Sequence, residues 1–116
     1  MRVRAKSQVH DHVLDEFDNA HLSFGVEYVV VGFDDEYFRV IDDAREPILY
    51  PHHLFDVSDP YVPDDWVRRE EDGGYHVDPP ECTAPGFYED YFDGKPDAIV
   101  VFERVVDRLL NSKMTL

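Results

Sequence analysis

The sequence predicts a mainly β chain of the α+β class: an antiparallel barrel or rolled sheet, a proline-rich extension and one C-terminal helix. Three observations predict it. Short runs of β-branched and aromatic residues follow one another at close spacing, separated by acidic turns, across residues 27–57. Five prolines crowd residues 58–86 (Pro60, Pro63, Pro79, Pro80 and Pro85), too many for long helices or wide ladders. Residues 95–113 alone carry a sustained helical period. At 116 residues one domain is the natural count, with a barrel-like part at 1–59, the extension at 60–94 and the helix at 95–113.

Each element has its own reason. Residues 1–7 alternate Val3 and Ala5 against Arg2, Arg4 and Lys6, as a strand with one buried face does. Residues 8–23 are polar with scattered apolar positions; they read as a long loop or a short helix, and the composition favours a loop with one helical turn. EYVVVGF at 27–33 is the clearest strand. Asp34-Asp35-Glu36 is a turn and 37–41 the next strand; Asp42-Asp43-Ala44-Arg45 is a second turn and 47–50 a third strand. A 3₁₀ turn at 51–54 leads to a last short strand at 55–57. Residues 66–70 and 75–77 flank Asp72-Gly73-Gly74 as a hairpin would. FYEDYF at 87–92 makes one helical turn. In the last helix Pro96 suits the first turn, Asp97 follows it, and Arg104, Arg108 and Lys113 lie toward the end, as the helix dipole favours. Ile99, Phe102, Val106 and Leu109 form its apolar stripe, widened by Ala98, Val101 and Val105.

Charge is the strongest functional signal. Of 26 Asp and Glu residues 24 fall between Asp11 and Val100, against five Lys or Arg there, while the whole chain carries −15. Such a field draws in a basic partner and repels acidic surfaces. It argues against direct binding of nucleic acid or an anionic membrane, both of which need cationic surface. Aromatics at 14% and apolar residues at 43% separate the chain from disordered acidic tails. A single cysteine, Cys82, allows no internal disulfide and suits a reducing, cytoplasmic location. No run of about 18 apolar residues spans a membrane, and the N-terminus lacks the apolar core of a secretory signal.

Catalytic and cofactor motifs are missing. The chain has no nucleophile elbow, phosphate loop or paired-cysteine motif, and Asp90-Tyr91-Phe92-Asp93-Gly94 lacks calcium-loop spacing. The expectation is a non-enzyme without cofactor. His10, His12, His52 and His53 are metal-ligand types, but the two groups lie 40 residues apart and lack convergent spacing, so no metal is expected. Cys82 sits among acids, where a reactive thiolate is disfavoured.

Three segments set aromatics among acids: 59–66, 75–81 and 87–93. With Tyr61, Tyr88 and Tyr91 at the surface, they have the character of interface hot spots, where Tyr buries large area at small entropic cost. The expected partner contacts are Asp34, Asp35, Glu36, Asp42 and Asp43 on the hairpin turns, which loops expose to solvent. A second group comprises Asp64, Asp65, Tyr88, Glu89, Asp90 and Tyr91.

The first half resembles a small SH3-like barrel. In such barrels a first strand and a long loop precede three strands with short turns, then a 3₁₀ turn and a final strand. Here Tyr50-Pro51-His52-His53-Leu54-Phe55 is the matching turn segment. The long loop carries His10-Asp11-His12 where peptide-binding SH3 domains carry paired tyrosines. The resemblance therefore implies the scaffold and not recognition of proline-rich peptides. The overall character, small, acidic and without an enzyme motif, is also similar to bacterial toxin-neutralising immunity proteins. That likeness implies an acidic inhibitor occluding the active site of a basic toxin such as a nuclease. Two other readings remain: a DNA mimic blocking a nucleic-acid-handling enzyme, and a small adaptor subunit using the stripe of the last helix.

Overall fold

A computed structural model of the chain describes residues 1–6 and 21–111. The long loop expected at 8–23, with His10 and His12, lies almost wholly outside the described residues, as do 112 and 113 of the expected helix.

Seven antiparallel strands form one connected sheet. Strands β1 (Arg2–Ala5), β2 (Glu27–Asp34), β3 (Tyr37–Ile41), β4 (Pro47–Pro51) and β5 (Phe55–Asp59) lie in the order β4-β3-β2-β1-β5. Strands β6 (Val67–Glu71) and β7 (Gly74–Asp78) make a hairpin whose β7 joins the end of β2, pairing Phe33 with Val77 and Asp34 with His76. The proline-rich segment is thus no appendage. Its prolines stand at 60, 63, 79, 80 and 85, outside the β6 and β7 ladders, so those ladders form undisturbed. The turn between them is two residues long, with Asp72 (φ 49°) and Gly73 (φ 80°) both left-handed, as a tight hairpin requires.

β2 reaches two sets of partners because it is bulged. Its first half pairs with β1 (Val3 with Tyr28), its second half with β3 and β7. The register shifts between Val30 and Gly32, so alternation breaks and Val30 and Val31 are both sealed from solvent. A Cβ at Gly32 would displace the Asp78 carboxylate on β7, whose Oδ1 occupies that space.

Helices α1 (Phe87–Phe92) and α2 (Pro96–Asn111) share one core with the sheet. Val3, Val30, Val40, Leu54 and Phe55 from the first half meet Trp66, Val77, Phe87, Phe102, Val105 and Leu109 from the second. The buried line of α2 is Ala98, Phe102, Val105 and Leu109, with Ile99 and Val106 only half-buried. The expected stripe is therefore rotated by about one residue and its centre is consumed inside the chain. Arg108 Nη1 and Nη2 donate to Glu81 Oε2 and Oε1 at 2.6 and 3.0 Å, tying α2 to the 3₁₀ turn Pro80–Cys82. No helix among the described residues is long and apolar enough to cross a membrane.

Candidate functional site

Two hairpin tips converge at one end of the sheet. Asp34 ends β2, and its Oδ1 accepts hydrogen bonds from the Glu36 and Tyr37 amides at 2.7 and 2.6 Å, folding the turn on itself. Because β7 runs against β2 with His76 opposite Asp34, the β6–β7 turn projects past the same end. The tips touch: a Cβ on Gly74 would come within 3.0 Å of Asp35 Oδ2. Asp35, Glu36, Glu70, Glu71 and Asp72 are all exposed there. Asp35, Glu70, Glu71 and Asp72 line a cleft of about 510 Å³ with Arg68 and Tyr75, whose ring lies 4.2 Å beneath the Arg68 guanidinium carbon. Asp35 and Glu36 also border a second cleft with Tyr37, His52 and His53. His76 sits between Asp34 (Nδ1–Oδ2, 4.0 Å) and Glu71 (Nε2–Oε2, 3.6 Å).

Glu70, Glu71 and Asp72 were not among the expected contacts. The signal for them was present: Gly73-Gly74 marks a tight turn, and acids beside a hairpin turn are exposed for the same reason as Asp35 and Glu36. What the sequence does not carry is the Phe33–Val77 pairing that brings the two tips together.

The other expected contacts scatter. The β3–β4 turn lies at the opposite end of β3, and Asp42 is not exposed there but 4% accessible. Its Oδ1 accepts from the Ala44 and Glu46 amides at 3.0 and 3.1 Å, and its Oδ2 from the Tyr50 hydroxyl at 2.9 Å. A carboxylate that holds its own turn is drawn in by those donors, which the rule that loop acids face water overlooks. Asp43 is exposed, yet its carboxylate accepts from the Tyr28 hydroxyl at 2.8 Å and from Ser23 Oγ at 2.7 Å. Asp64 and Asp65 are exposed ahead of the buried Trp66. Glu89 is exposed; Asp90 is half-buried and pairs with Lys95 at 3.0 Å.

Of the three tyrosines expected at the surface, Tyr61 is 59% accessible, while Tyr88 and Tyr91 are half-buried. Tyr91 packs on Phe102 with ring centres 5.0 Å apart, and the Tyr88 hydroxyl is sealed from solvent. In the helical FYEDYF run, positions 87, 88 and 91 share the inward face and Glu89 faces out. Tyr37, at the acidic end and 37% accessible, is the exposed tyrosine that sequence reasoning passed over.

Adjoining the acidic end is a cleft of about 240 Å³ lined by Gly32, Asp34, Arg39, His76, Asp78 and Tyr88 among others. Arg39 lies directly opposite Gly32 across the β2–β3 pair. Its guanidinium carbon stands 3.8 Å from the centre of the Tyr88 ring and its Nη1 donates to the Pro47 carbonyl at 2.9 Å. Burial lowers the Arg39 pKa. Burial raises that of Asp78, against the opposing pull of Arg39, His76 and Arg69. Burial likewise pushes the Cys82 thiol up to about 11, leaving it protonated and unreactive.

Among the described residues no group of three or more His, Cys, Asp or Glu is placed to hold a metal ion. His52 stacks on Phe38 with ring centres 4.1 Å apart, and His53 is exposed. Compared with family models, with curated proteins and with solved structures, the chain matches none.

Proposed function

We propose that this protein is an acidic inhibitor of a basic protein, acting as an immunity protein that neutralises a toxin, such as a nuclease, by covering its active site. The observation that carries the reading is the convergence of the β2–β3 and β6–β7 tips, which gathers Asp35, Glu36, Glu70, Glu71 and Asp72 beside Tyr37 and Tyr75. Carboxylates clustered this way stand where a nuclease would hold phosphates, and the tyrosines supply contact area around them. The −15 field steers encounter, lifting association above the neutral range of about 10⁵–10⁶ M⁻¹s⁻¹. Crowding like charges costs stability, and a basic partner offsets that cost.

The scaffold half of the proposal is an SH3-like barrel. The succession of β1, a long connection, β2 to β4, the 3₁₀ turn His52–Leu54 and β5 is the one that resemblance implies; closure of the sheet belongs to the proposal.

A second reading, an adaptor subunit, draws on a different observation. A groove of about 510 Å³ runs between β3 and α2, lined by Ile41, Tyr91, Phe102, Val106 and the 45% accessible Leu110.

The test is capture from the source lysate at low salt, elution with salt, mass spectrometry and an activity assay on what is eluted. A stoichiometric basic protein that salt releases and whose activity the chain suppresses supports inhibition. An acidic subunit that survives high salt supports the adaptor instead.

A further inference from the structure

The Arg39 cleft adjoins the acidic tips and shares Glu71 with them, but its chemistry points to a ligand of a different kind. Arg39, Gly32 and Asp78 lie side by side on three adjacent strands, β3, β2 and β7. Strands sit about 4.8 Å apart, so Arg39 and Asp78 are separated by about two such spacings, with a residue lacking a side chain between them. No ion pair joins the two side chains among the described residues. Asp78 is seated over the glycine, in the space where a Cβ would be. Arg39 leans the other way, toward β4, fixed by the Pro47 carbonyl and the Tyr88 ring. Among the described residues Arg39 makes no ion pair, and the Pro47 bond is its one side-chain hydrogen bond.

An arginine offers only donors and an ionised aspartate only acceptors. Partly buried and not hydrogen-bonded to each other, both gain from a group that reaches the two of them. A free anion would meet Asp34, Glu71 and Asp78 on the same walls and the −15 field outside. A cation would meet Arg39 and Arg69. A neutral group with one acceptor and one donor fits both ends.

We propose that this cleft binds an amide, its carbonyl oxygen accepting from the Arg39 guanidinium and its N–H donating to the Asp78 carboxylate. The cleft's volume, about 240 Å³, admits one such group with a short substituent. The same chemistry is carried by an Asn, Gln or backbone amide of a polypeptide and by a free small-molecule amide.

The test is an NMR titration of the ¹⁵N-labelled full chain, read at the Gly32 amide and the Arg39 Nε–Hε. The probes are N-methylacetamide, sodium acetate and methylammonium chloride at matched ionic strength. Saturable shifts with N-methylacetamide, and none of comparable size with the two ions, are the expected result. Acetate shifting Arg39 as strongly, or no saturable shift with the amide, overturns the proposal and leaves the cleft to water. Two further probes separate the sources: N-acetylglutamine methylamide binding more tightly than nicotinamide assigns the site to a polypeptide, and the reverse assigns it to a small molecule. Arg39→Lys keeps the charge and loses the planar fork, and Asp78→Asn loses the acceptor pair; each weakens the amide about tenfold. An unchanged affinity in both variants, with spectra otherwise those of the folded chain, also overturns it.

Discussion

Asp42 shows how one side chain can be misread from its neighbours in sequence. Set in DDAR between two strands, it reads as one more exposed turn acid, yet it accepts three hydrogen bonds and is 4% accessible. Burial also pushes the Tyr50 hydroxyl that donates to it up to about 12, so the donor stays protonated across the working pH range. Asp42→Ala strips the turn of its acceptor and leaves the proton of that hydroxyl, which still accepts from the His21 amide, without an acceptor, at a cost of about 2–3 kcal/mol in urea unfolding. Partner affinity per folded molecule is expected to stay unchanged. A variant that unfolds normally but binds poorly would return Asp42 to the interface.

The elements themselves were legible where local chemistry decides them. β3 occupies residues 37–41 as its β-branched and aromatic run requires, and α1 occupies 87–92. The hairpin at 67–78 follows from its Asp-Gly turn. The rotation of α2 was not legible, because Ala98, Val101, Val105 and Val106 make its apolar face too wide to show which line the sheet selects. The same holds for the bidentate Arg108–Glu81 link, which joins residues 27 apart. Arg108 holds the Glu81 carboxyl below its usual 4.5. A depressed carboxylate pKa contributes stability that is present above the unfolded value and lost as pH falls through the folded one. Arg108→Gln should therefore cost about 0.5–1 kcal/mol at neutral pH, the modest size reflecting partial exposure. The difference from the parent chain should shrink as pH falls from neutral into acid and vanish once Glu81 is protonated in the folded chain. Urea midpoints at neutral and acid pH check it; a penalty that persists in acid would mean the arginine acts by packing alone.

Across the molecule, charge dominates behaviour and topology decides where it gathers. Composition revealed the acidity, but not that β7 joins β2 and so sets two acidic tips together, since that pairing links Phe33 to Val77 across 44 positions. With −15 net, self-repulsion acts over the whole surface, whereas each exposed ion pair is worth about 0–1 kcal/mol. Raising sodium chloride from about 20 to 200 mM should therefore raise the urea midpoint, because screening relieves more repulsion than attraction. A falling midpoint would show that specific pairs, and not the net field, govern stability. The proposed function requires that the converged tips engage a basic partner. It is tested most directly by the affinity of that partner for the parent chain and for a triple variant, Asp35→Lys with Glu71→Lys and Asp72→Lys, at about 50 and 500 mM salt. The triple variant should bind about a hundredfold or more weakly at low salt, and the loss should shrink markedly at high salt. Equal affinity for the two chains, or a loss that salt leaves untouched, would contradict the proposed function.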